Sequence, residues 1–96
     1  MPLDALLNDR REAILAIAAR RGARNVRVFG SFARGTADTA SDVDLLVDME
    51  PGRSLLDMGA MLAELQELLG REVDIVTERG LKQRIRGRVL AEAVPL

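Results

Sequence analysis

Three observations predict an α/β (α+β) domain: a small mixed three-stranded sheet with flanking helices. Apolar residues recur at helical spacing near the N-terminus and again across residues 54–69. Between and after them lie three short apolar or β-branched runs, 25–29, 42–49 and 72–77, each bounded by Gly, Pro or polar residues. The length of 96 residues suits one core, so residues 1–96 are expected to form a single domain.

Taken in order, Leu3, Leu6, Leu7, Ile14, Ile17 and Ala18 mark the first helix. Asp9 and Glu12 have capping-box spacing and place its main start near residue 9; Gly22 is its stop. Strand 25–29 ends at Gly30-Ser31, and residues 32–34 allow about one helical turn before Gly35. Small polar residues 36–41 make a loop into strand 42–49, which stops at Glu50-Pro51-Gly52. Ser54 and Asp57 form a second capping box, followed by the stripe Leu55, Met58, Met61, Leu62, Leu65, Leu68 and Leu69 up to Gly70. Strand 72–77 carries Asp74 in its middle. Leu81, Ile85, Val89 and Leu90 predict a last helix weakened by Gly87, which costs about 1 kcal/mol relative to Ala. Contact with a partner is one way such a helix would be held.

Composition excludes several chemistries. There is no Cys and no His, so disulfides, thiolate metal sites and an imidazole general base are ruled out. A metal would have to be bound through oxygen, which favours Mg²⁺ or Mn²⁺. The only aromatic residues are Phe29 and Phe32, too few for base-stacking platforms, so no direct nucleic-acid binding is expected. The 14 basic and 15 acidic residues nearly cancel, and every basic residue except Lys82 is Arg. No run is long and apolar enough for a membrane span, and the N-terminus lacks a basic, then apolar, leader. A cytoplasmic protein without membrane contact is the expectation.

The residues that carry chemistry lie between Phe29 and Asp48. Gly30-Ser31 is separated by ten residues from Asp42-Val43-Asp44. Glycine lets a ligand approach the backbone, and N–H groups at a helix start attract phosphate; the same Ser31 would also serve as a plain cap. Strand alternation puts Asp42 and Asp44 on one face, with Val43, Leu45 and Val47 on the other. Two neighbouring carboxylates repel unless a cation lies between them. They are also read as a strand-edge solubility device or as ordinary solvated acids at a strand start. Asp74, flanked by β-branched residues, is either paired with an Arg or a third carboxylate on the same face. At average residue usage G-S-x₁₀-D-x-D arises by chance in roughly one in a thousand chains of this length.

Gly30-Ser31 and Asp42-Val43-Asp44 match the G-S-x₁₀-D-x-D signature of the nucleotidyltransferase superfamily, the DNA polymerase β-like fold. Size, the run G-S-F-A-R-G-T and the ending A-E-A-V-P-L resemble the minimal nucleotidyltransferases (MNT, MntA-like), antitoxins paired with HEPN-domain toxins. The resemblance implies a mixed sheet with the site at one edge. Gly30 and Ser31 would contact the β- and γ-phosphates of ATP, and Asp42 and Asp44 would coordinate Mg²⁺. Asp74 would bind a second metal or take the proton of the attacking hydroxyl. Arg34 is either a phosphate contact or a solvated surface arginine, and Asp48, farther along the same face, is expected to be structural or solvent-facing. The implied activity is protein adenylylation, transfer of AMP to a tyrosine of the HEPN toxin in a hetero-oligomer. This chain has no Tyr, so tyrosine modification would act on another molecule. Two alternatives are a non-catalytic antitoxin that occludes its partner and a small-molecule nucleotidyltransferase completed by a second subunit.

Overall fold

The computed structural model describes residues 5–96; Leu3, counted above in the first apolar stripe, lies outside the described residues. Helix α1 (Ala5–Arg20) buries Leu7, Ile14, Ile17 and Ala18. The start expected near residue 9 is corrected. Leu7 is fully buried in the core, so packing carries the helix past Asp9 and Glu12, which are exposed mid-helix. Strand β1 (Ala23–Phe29) starts two residues earlier than predicted. Its register slips between Arg24 and Arg27, where Asn25 takes a left-handed conformation at φ 53°.

A four-residue helix, α2 (Ser31–Arg34), follows. Then come β2 (Val43–Met49), α3 (Leu55–Leu69) and β3 (Val73–Val76). The capping box of α3 is present: Leu56 N–H donates to the Ser54 hydroxyl, and Ser54 N–H donates to the Asp57 carboxylate at 3.0 Å. That backbone bond holds the Asp57 carboxyl below its ordinary pKa. Met61, Leu65 and Leu69 enter the core, but Leu55, placed in the buried stripe above, is 84% exposed together with Leu56.

The chain closes with a 3-10 turn (Glu78–Gly80), α4 (Gln83–Glu92) and β4 (Val94–Pro95). The expected three-stranded sheet is therefore corrected to four strands, in the order β3-β2-β1-β4. β4 is two residues long and half of it is proline, so it has no alternating pattern to read. It sits at an edge, where proline is tolerated. β1 pairs antiparallel with β2 and β4, while β2 pairs parallel with β3, an arrangement that requires α3 as its crossover.

Val28, Val43, Leu45, Val47 and Val73 join the residues of α1 and α3 in one apolar cluster. Leu46 and Val89 are also fully buried, outside that cluster, and alternation directs Leu46 to the opposite face of β2. α4 is tied down within the chain despite Gly87, because Arg86 donates to the Glu78 carbonyl at 2.6 Å and to its carboxylate at 3.2 Å. The C-terminus is fastened as well: Leu96 N–H donates to Val26 O at 2.9 Å, and Arg11 donates to the Leu96 carbonyl. Among the described residues no helix is long and apolar enough to cross a membrane.

Candidate active site

The site begins where β1 ends. Gly30 has φ 76° and ψ −153°, a region essentially confined to glycine. A Cβ on it would overlap Asp44 Oδ2, so glycine is needed twice, for the backbone angle and for the space. Gly30, not Ser31, is the cap residue of α2, and no side chain caps that helix. The reading of Ser31 as a plain cap is corrected; it is the first residue of the helix, beside the glycine.

Pairing of β1 with β2 sets Phe29 opposite Asp44, and parallel pairing of β2 with β3 sets Asp44 beside Asp74. Asp42 precedes β2 by one residue and is exposed, Asp44 is half-buried, and Asp74 is exposed. Asp74 is therefore not the buried mid-strand charge that its sequence neighbours suggest. None of the ion pairs among the described residues includes it, which removes the reading of an Arg-paired structural acid.

Electrostatics link these groups. Burial raises the Asp44 carboxyl from 3.8 to about 6, helped by repulsion from Asp74, Asp42 and Glu92 and opposed by Arg34. Net repulsion at one carboxylate marks a place that gains from a cation. A contrasting acidic cluster lies toward the other end of β2. There Arg27 bonds Asp48 at 3.0 Å and Glu78 at 3.3 Å, and Asn25 donates to Asp48 at 3.1 Å. Those charges are compensated, and of the two expectations for Asp48, structural or solvent-facing, these bonds favour the structural one. An adjoining cleft of about 720 Å³ lined by Asp48, Thr77, Glu78, Arg79 and Arg86 lacks the uncompensated carboxylates of the first cluster.

The donor set of Asp42, Asp44 and Asp74 is oxygen alone, which fits a hard cation. No group of three such ligands stands ready-made to enclose a metal among the described residues. That is compatible with Mg²⁺, which keeps several waters and is commonly held by one or two carboxylates plus substrate phosphates.

Sequence reasoning missed two contributors. Glu92 accepts from Gly30 N–H at 2.7 Å and from Arg34 Nη1 at 3.2 Å. Arg71 donates to the carbonyls of Asp38 and Ser41, both at 3.1 Å, and its guanidinium lies 5.2 Å from the centre of the Phe32 ring. It thereby braces the loop that delivers Asp42 against the helix that begins at Ser31. Both act across more than 25 residues of chain, and neither belongs to a local pattern.

A family model described as a nucleotidyltransferase domain matches residues 11–96. The chain is 47% identical over 75 residues to the protein adenylyltransferase MntA of Thermococcus cleftensis, covering 78% of this chain and 76% of that protein. It is 38% identical over 88 residues to a Methanocaldococcus jannaschii protein provisionally named a protein adenylyltransferase, covering 92% and 95% of the two. A solved structure provisionally described as a minimal nucleotidyltransferase superposes with a TM-score of 0.84 at 58% identity, over 94% of this chain and 92% of that one. A toxin-antitoxin structure with AMP-PNP shares the fold, at TM-score 0.74 and 20% identity, over 88% of this chain and 69% of that one.

Proposed function

This chain belongs to the nucleotidyltransferase domain family and is a nucleotidyltransferase; from that premise we propose that it is a Mg²⁺-dependent protein adenylyltransferase. It moves AMP from ATP to a hydroxyl of a cognate HEPN-type toxin, with residues 1–96 acting as one catalytic domain. The observation that carries this reading is the in-register pair Asp44 and Asp74 beside Gly30, with Asp44 raised to about 6 by burial and like charge. Similarity to MntA supports protein as the acceptor. The toxin-antitoxin structure that shares the fold supports a toxin partner.

The chemistry follows from the residues. The acceptor oxygen attacks the α-phosphorus of ATP, the bond from that phosphorus to the bridging oxygen breaks, and pyrophosphate leaves. Gly30 N–H and Ser31 hold the β- and γ-phosphates, and Arg34 adds a guanidinium to the same oxygens. Asp42 and Asp44 would hold Mg²⁺, which supplies charge neutralisation of the triphosphate. Asp74, exposed and unpaired, would take the acceptor proton or hold a second ion. Because the chain contains no Tyr, a tyrosine acceptor belongs to the partner.

The test is to incubate the protein with ATP, Mg²⁺ and the product of the adjacent gene, then record intact masses. An AMP increment on the partner, lost in D42A/D44A, is the expected result. No increment despite measured nucleotide binding would refute transfer. A folded D42A/D44A variant that still neutralises the partner fully would favour occlusion.

A further inference from the structure

Gly30 N–H and the Arg34 guanidinium are the donors the proposed function assigns to phosphate, yet here they serve an anion supplied by the chain. Glu92 is the last residue of α4. Its Oε2 accepts from Gly30 N–H at 2.7 Å, and both of its oxygens lie 3.2 Å from Arg34 Nη1. The Glu92 side chain is 17% exposed and that of Arg34 51%, so the carboxylate lies beneath the arginine, toward the glycine. One N–H and one guanidinium on a two-oxygen anion is the donor set a phosphate takes.

The carboxylate is held there from both sides. Upstream, α4 is anchored through Arg86 to Glu78. Downstream, β4 starts two residues on and pairs with Arg27 and Val28 of β1, while Arg11 grips the Leu96 carbonyl. A backbone N–H cannot serve two full anions. With Asp44 already against Gly30, a phosphate and Glu92 together would crowd three anionic groups at one glycine.

We propose that Glu92 is an intramolecular competitor for the triphosphate, occupying its anion site in the free protein so that nucleotide binds only after the carboxylate is displaced. Rotation of the glutamate side chain is enough, and neither α4 nor β4 has to detach. The affinity of the free enzyme is then reduced by the fraction of molecules in which the site is closed. The inference rests on the proposed nucleotide site at Gly30 and Ser31.

The test is calorimetric titration of inorganic tripolyphosphate with Mg²⁺ into wild type, E92Q, E92A and E92D. E92Q keeps the shape without the charge and is expected to bind about tenfold tighter, the lower end of the range for one charge-assisted hydrogen bond. E92A reports the same gain without any side chain to reoccupy the site, and thermal unfolding checks that each variant is folded. E92D keeps the charge but is one methylene shorter. Displacement predicts that it binds tighter than wild type, whereas a general charge effect predicts wild-type affinity. Unchanged or weaker binding by E92Q and E92A, or wild-type affinity in E92D while E92Q and E92A both tighten, overturns the inference while leaving the nucleotide site intact. If wild type and all the variants fail to bind tripolyphosphate, the site reading falls as well.

Discussion

Asp44→Asn is expected to stabilise the metal-free protein while removing its activity. The folded protein holds the Asp44 carboxyl at about 6 against 3.8 when unperturbed. The folded state therefore binds more protons than the unfolded one between those values, and stability falls as pH rises through the window. At about 1.4 kcal/mol per pH unit, the full cost to the wild type above pH 6 is at most about 3 kcal/mol. Asp44 is only half-buried, and solvent screening reduces the figure to about 1–2 kcal/mol. In a domain of this size that corresponds to a melting temperature about 5–10 °C higher for D44N at pH 7.5. The groups facing Asp44 are Asp74, Asp42, Glu92 and Arg34, and all stay in place. Thermal unfolding followed by circular dichroism in EDTA, from pH 3.5 to 8, reads the difference between the two proteins. It is expected to be near zero at the acid end, to open between about pH 4 and 6 and then to level off. Added Mg²⁺ should raise the wild-type midpoint and leave D44N unchanged. A D44N midpoint equal to or below wild type at pH 7.5 in EDTA would refute the account of Asp44 as a repelled charge awaiting a cation.

Gly30→Ala forces a left-handed residue and places a methyl on Asp44 Oδ2; transfer should fall at least about a hundredfold, with nucleotide affinity by calorimetry falling alongside. Leu46→Ala opens a cavity beneath a fully buried side chain and should cost about 2–5 kcal/mol in urea unfolding. Gly87→Ala meets open space in α4 and should add about 0.5–1 kcal/mol of stability, read as a higher urea midpoint at constant slope.

Local chemistry wrote much of this protein into its sequence. The capping box at Ser54 and Asp57, the stripe through Met61, Leu65 and Leu69, and the G-S-x₁₀-D-x-D spacing all concern neighbours in the chain. Helix and strand periods translate such neighbours directly into faces. The same locality explains the errors. Asp9 and Glu12 look like a cap, but burial of Leu7 outweighs the signal and continues the helix. Val94 and Pro95 carry no strand pattern, and pairing with Arg27 and Val28 makes them one.

What the sequence by itself determined is the identity and spacing of the candidate site groups: a glycine and serine at a turn, and carboxylates at alternate positions of a strand. Tertiary structure alone decided how those groups are charged and what contests them. The β2–β3 register sets Asp74 beside Asp44. The return of α4 and β4 across the chain brings Glu92 onto Gly30, 62 residues away in sequence. Coulomb energy depends on distance through space rather than along the chain, so neither the raised Asp44 nor the occupied glycine could be read before the strands were paired.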